Sequence, residues 1–179
     1  PCPRADNHCR QGRQFCSVRH RWLTFSSSSV LRLQFMSQQT ESVLNGVLID
    51  MARSFLQYVA EGWPWVSTDA QSIEEQVLVL AARQRQDVAE IVALLNEREY
   101  PIDFGSFPTE YTDLQFLALG SMFEWLHNSQ GIVLSSIETA VQQLTAAGDE
   151  EGAALLKLIE MHQKEDAKAL KDLHQQLPA

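Results

Sequence analysis

The chain has 179 residues, 45% of them hydrophobic and 21% charged, with 14 Lys+Arg against 23 Asp+Glu. That is enough for one domain with its own core and too little for two. No run of about 18 uncharged apolar residues occurs, which excludes a transmembrane helix.

Charge divides the chain unevenly. Residues 1–35 hold Arg4, Arg10, Arg13, Arg19, Arg21 and Arg32, one acid (Asp6), and all three cysteines, Cys2, Cys9 and Cys16. They lack apolar periodicity, include the run Ser26–Ser29, and predict a disordered basic tail outside the fold. Met36 is a natural start, so the tail is expected to be an over-extended reading frame. A transit peptide would need an amphipathic stretch that is missing. A zinc site on the three cysteines with His8 and His20 would need a short Cys-x2–4-Cys knuckle. Residues 36–179 are strongly acidic, which repels phosphate backbones and disfavours nucleic acid. With no cysteine in this part, there is no disulfide framework and a cytoplasmic location is the default expectation.

From Met36 the spacing predicts four helices. Helix A covers about Thr40 to Glu61, carrying Leu44, Leu48, Met51, Phe55 and Tyr58 on one stripe, and stops at Gly62 and Pro64. Helix B is expected to open on a capping box, Ser72 with Glu75, and to reach about Arg98. Pro101, Gly105 and Pro108 break the pattern, and helix C then covers about Thr109 to Ala147 with Phe116, Leu119, Phe123, Leu126, Val133, Ile137 and Leu144 inward. Gly131 is a possible kink within it. Gly148 ends helix C, the acids Asp149-Glu150-Glu151 favour the start of helix D, and Pro178 follows its end near Gln176. No alternating pattern competes, so the expected class is all-α and the expected architecture a four-helix bundle.

Two seams carry the chemistry. Inward positions of helix B read Val77, Leu80, Gln84, Asp87, Ile91 and Leu94; those of helix D read Leu156, Ile159, Gln163, Asp166, Leu170 and Leu173. Each seam is apolar except for one Gln-x-x-Asp pair at the same step. The match of Gln84-Arg85-Gln86-Asp87 with Gln163-Lys164-Glu165-Asp166 suggests an internal repeat of two helical hairpins. Packed with pseudo-two-fold symmetry, the pairs would face each other at mid-bundle, where buried polar groups need partners.

This pattern resembles the ferritin-like superfamily, with Tyr58-Val59-Ala60-Glu61-Gly62-Trp63-Pro64-Trp65 similar to the first-helix end of small bacterial members. The resemblance covers about residues 40–176 and implies a Glu-x-x-His motif on the second and fourth helices plus one Glu on each of the others, around two iron or manganese ions. Here the motifs read Gln84-x-x-Asp87 and Gln163-x-x-Asp166, and the nearest carboxylates on helices A and C are Glu61 and Glu124, off the apolar stripes. The dinuclear site is therefore expected to be lost, because two divalent ions need about four carboxylates in a dry interior. Amide oxygens suit hard cations better than iron, which leaves a single metal on Asp87, Asp166 and either His127 or His162 as the alternative. The plainer expectation is a hydrogen-bonded layer that fixes helix register, completed by Tyr58 and Gln130.

Trp63-Pro64-Trp65 with Phe104 and Phe107 would form an aromatic surface or an end plug. No phosphate loop, catalytic triad or nucleophilic cysteine can be assembled after residue 35. The ferritin-like order requires helices B and C to run parallel, yet ten extended residues between them reach roughly 33 Å while helix B is near 40 Å. A plain up-down-up-down order stays open beside it. The expected function is a non-enzymatic bundle with a degenerate metal site and no cofactor, a homodimer without nucleic acid or membrane. The alternative is a metal-dependent oxidoreductase or metal-binding protein.

Overall fold

The computed structural model describes residues 27–62, 71–114 and 119–177. Five α-helices order these residues: α1 (Ser27–Ala52), α2 (Phe55–Glu61), α3 (Gln71–Glu97), α4 (Leu119–Ala147) and α5 (Glu150–Gln175). A short 3-10 turn, Thr109–Leu114, precedes α4, and no strand is present among the described residues. The protein is all-α, and none of these helices is long and apolar enough to cross a membrane.

Helix A differs from expectation at both its start and its middle. The backbone is helical from Ser27, so residues 27–35, expected in the tail, continue into α1. Residues 1–26, with Cys2, Cys9, Cys16, His8 and His20, lie outside the described residues, as do Trp63, Pro64, Trp65, Phe116 and Pro178. At Arg53 and Ser54 the helix breaks: Ser54 turns to an extended backbone (ψ 157°), and its side chain caps α2 by accepting from the Gln57 amide. An apolar stripe runs unbroken through this point, which is why periodicity predicts one helix where there are two.

The expected capping box at Ser72 is not the start of α3, because the helix already includes Gln71. α4 begins ten residues later than predicted, since Tyr111 donates its amide to the Pro108 carbonyl at 3.1 Å in the 3-10 turn and packs its ring on Phe55 and Tyr58. Gly131 lies within a continuous α4. Between α4 and α5, Gly148 adopts φ +79° and Asp149 caps α5 by accepting from the Gly152 amide. Arg98, at the end of α3, holds this corner with bonds to Asp149 at 2.5 and 2.9 Å and to Glu151 at 3.0 Å. Through these contacts Asp149 is held below the ordinary carboxylate range, the Arg98 bond being the main cause.

The core consists of two apolar clusters. One gathers Leu44 and Leu48 with Ile91, Leu95, Ile137 and Leu156; the other gathers Phe55 and Val59 with Val77, Phe123, Leu126 and Leu170. α3 and α4 each start in the second cluster and end in the first, so they run parallel, while α5 runs the other way. The described part of the link between α3 and α4, residues 98–114, therefore returns along the molecule. It does so beside α1 and α2: the Asp103 amide donates to Asn45, Arg53 donates to the Phe104 carbonyl, and Phe107 packs edge-on against Tyr58. At about 3.3 Å per residue this link easily covers the roughly 40 Å of α3, removing the tightness that the ten-residue estimate implied. Aromatic residues of the link thus clasp the first helices; Phe107 also lies under the Arg53 guanidinium at 4.8 Å.

Candidate functional site

Between the two apolar clusters lies one polar layer. Gln84, Asp87, Gln163 and Asp166 are all buried, at 0, 1, 0 and 0% exposure. Their helical spacing aims α3 and α5 at each other at the same height, and the two Gln-x-x-Asp pairs meet as the repeat implies. The Gln84 amide donates to Gln163 Oε1 at 3.0 Å, and the Gln163 amide donates to Asp87 Oδ2 at 2.8 Å.

The remaining helices complete the layer with amides. Because Ser54 interrupts the first helix, its hydroxyl faces α3 and donates to Gln84 Oε1 at 2.8 Å. One turn later Gln57 donates to Gln84 Oε1 at 3.0 Å and to the Ala81 carbonyl at 2.9 Å, and it accepts from Arg85 at 3.2 Å. From α4, Gln130 donates to Gln163 Oε1 at 2.9 Å and to the Gln163 carbonyl at 3.1 Å. Four helical segments thus present one buried glutamine each: Gln57, Gln84, Gln130 and Gln163. The break in the first helix is fixed to α4 as well, since the freed Phe55 amide donates to Ser129 Oγ at 2.9 Å.

Two side-chain pairs flank the amides, and they mirror each other. The residue before each seam glutamine reaches across to the other helix's aspartate: Arg83 bonds Asp166, and His162 Nδ1 stands 2.8 Å from Asp87 Oδ1. Arg83 also reaches Glu165 at 3.2 Å and the His162 carbonyl at 3.0 Å. Burial pushes the Asp166 carboxyl above its ordinary value, with the Arg83 bond pulling against it. Two buried acceptors, Gln130 Oε1 and Asp166 Oδ2, have no hydrogen-bond partner, and neither does Arg83 Nε.

The expected site residues separate into two groups. Gln84, Asp87, Gln163, Asp166, His162 and Gln130 come together. Glu61 and Glu124 are exposed on the surface, as their positions off the stripes imply. His127 is turned toward α5, where its Nε2 stands 3.1 Å from His174 Nδ1. Tyr58 belongs to the aromatic clasp with Phe55, Phe107 and Tyr111 and takes no part in the layer. Sequence reasoning missed Arg83, Ser54 and Gln57. The signal for the last two was present: Ser54-x-x-Gln57 has the form of a capping box inside the predicted helix.

Among the described residues no three or more of His, Cys, Asp and Glu converge on a point that could hold a metal ion. The chemistry of the layer also opposes a dinuclear iron or manganese centre. Four neutral amides offset no cationic charge, and one of the two carboxylates is already paired with a guanidinium. These residues do not fit such a centre. No protein-family model matches the chain, and no curated protein is significantly similar to it.

Proposed function

We propose that this chain is a ferritin-like four-helix bundle made of two helical hairpins, whose metal site has become a structural hydrogen-bonded layer. The observation that carries the proposal is positional. One glutamine per helical segment, with Asp87 and Asp166 one turn beyond the α3 and α5 glutamines, parallels helix by helix the four Glu and two His that such an architecture carries. The parallel course of α3 and α4 supports the same order of helices. On this reading the protein performs no redox chemistry and acts as a structural or interaction module. Its partner is a second copy, taken up through exposed apolar side chains on α3 and α5 such as Val79 (67%), Leu158 (45%) and Met161 (60%).

The alternative, a metal-dependent protein using an Asp/Gln/His site, draws on the two unpartnered acceptors, Gln130 Oε1 and Asp166 Oδ2. Metal content of tag-free protein, followed by aerobic Fe²⁺ addition, separates the readings. Iron or manganese near one equivalent, lost in Asp166→Asn, would overturn the structural proposal. A positive control sharpens the test. Replacing Gln57, Gln84, Gln130 and Gln163 by Glu, and Asp87 and Asp166 by His, with Arg83→Met, should create an Fe²⁺-oxidising protein if the six positions correspond.

A further inference from the structure

At the far end of the second apolar cluster, outside the amide layer, two imidazoles meet. His127 on α4 and His174 in the last turn of α5 approach with Nε2 and Nδ1 only 3.1 Å apart. Phe123 holds both: His174 stacks on its ring at 5.3 Å and 14°, and His127 lies tilted at 6.3 Å. The pair opens onto a recess of about 310 Å³ whose other walls are Lys171 and Gln175.

We propose that His127 and His174 form a two-coordinate protein site for a borderline divalent cation such as Zn²⁺ or Ni²⁺, with water from the recess completing the shell. In the free protein one ring donates its N–H to the lone pair of the other, so a single proton sits between the two nitrogens. A cation placed there takes both lone pairs and releases that hydrogen to the far ring nitrogen. Two imidazoles at about 2.05 Å from one ion lie about 3.3 Å apart in a tetrahedral shell and about 2.9 Å apart at right angles. The observed separation falls between these values, so the spacing of the two nitrogens already suits a shared ion and the rings need only re-aim their lone pairs. Both rings ligate through the neutral imidazole, so binding competes with protons. Lys171 is the opposing element, since its ammonium repels an incoming cation. The site is independent of the amide layer and of the ferritin-like proposal.

The test is calorimetric titration of the full, tag-free chain with ZnCl₂ and separately with NiCl₂ at pH 7.5, after Cys2→Ser, Cys9→Ser and Cys16→Ser have removed the thiols. The expected result is one bound equivalent whose affinity falls at least tenfold in His127→Ala and in His174→Gln and stays unchanged in His162→Ala. Lys171→Gln should tighten binding at least threefold, a gain that misfolding cannot imitate. Circular dichroism of each variant checks that α4 and α5 remain helical. No binding, binding indifferent to both histidine substitutions, or weaker binding in Lys171→Gln would each overturn the proposal.

Discussion

Arg83→Met offers the sharpest perturbation of the layer. The side chain of Asp166 is 0% exposed and that of Arg83 is 37% exposed, so the substitution strands a fully buried carboxylate by removing a partner that solvent partly screens. Breaking a buried pair from one side costs about 3–5 kcal/mol, and the partial exposure of Arg83 reduces this to about 2–3 kcal/mol. With a urea slope of about 2 kcal/mol per M, the unfolding midpoint followed by circular dichroism should fall by about 1–1.5 M at pH 7. The pH dependence has a definite sign. Burial raises Asp166 in the folded state, and Arg83 is what holds that rise in check, so the variant's carboxyl should rise further. A raised folded pKa means the penalty is absent below the unfolded value of about 3.9 and grows as pH climbs through the folded value. The deficit at pH 7 should therefore shrink by pH 4.5. Adding Asp166→Leu should restore most of the loss at pH 7, because a buried pair replaced whole by apolar groups is often neutral. A midpoint change under about 0.3 M, or equal deficits at both pH values, would refute the account of Asp166 as a charge dependent on Arg83.

Further outcomes follow from other contacts. Gln163→Glu removes the donor to Asp87 and sets two carboxylates together; it should cost about 2–4 kcal/mol at pH 7, read by urea unfolding, and recover toward pH 4. Asp149→Asn keeps a cap but loses the Arg98 pairing. Since the Asp149 pKa is depressed by Arg98, the deficit of about 1 kcal/mol should be present above the unfolded value near 3.9 and vanish as pH falls through the lower folded value, as thermal melts across pH would show. Ser54→Ala deletes both the cap of α2 and a donor to Gln84, with an expected loss of about 1–2 kcal/mol in chemical denaturation. Glu99, an exposed residue at φ 54° just past α3, should gain about 0.5–1 kcal/mol on replacement by Gly, seen as a higher melting temperature.

The α3 and α5 seams were legible because burial on a helix is periodic: eleven of the twelve assigned positions are buried, with Leu80 half-exposed. The meeting of the two polar pairs was legible because the sequence states them twice. What escaped was the contribution of the other helices. Gln57 was overlooked because a ferritin-like site leads one to look for carboxylates, and an amide on an amphipathic helix looks like a surface residue. Arg83 was overlooked because a long cation beside a seam reads as solvated, whereas its stem lets it reach inward to Asp166. The late start of α4 was hidden because Thr109–Leu114 carries helix-compatible residues while Tyr111 is captured by the aromatic clasp. His127 and His162 look alike in sequence. Only a difference in rotation about their helices sends one to His174 and the other to Asp87.

The glutamine layer also has a handedness that its repeated sequence lacks. Each amide carries a donor end and an acceptor end, and the bonds run in one sense, from Gln57 to Gln84 to Gln163 to Asp87, like a file of arrows ending on a carboxylate. Reversing one arrow would set carbonyl against carbonyl at its neighbour, and the carboxylate at the end, which only accepts, fixes the sense of the whole file. The layer thereby acquires a definite front and back at its centre: Gln57 and Gln130 donate alike to Gln84 and Gln163, but the Gln84–Gln163 bond has one sense, so α3 and α5, however similar their seams, cannot trade places without that bond reversing.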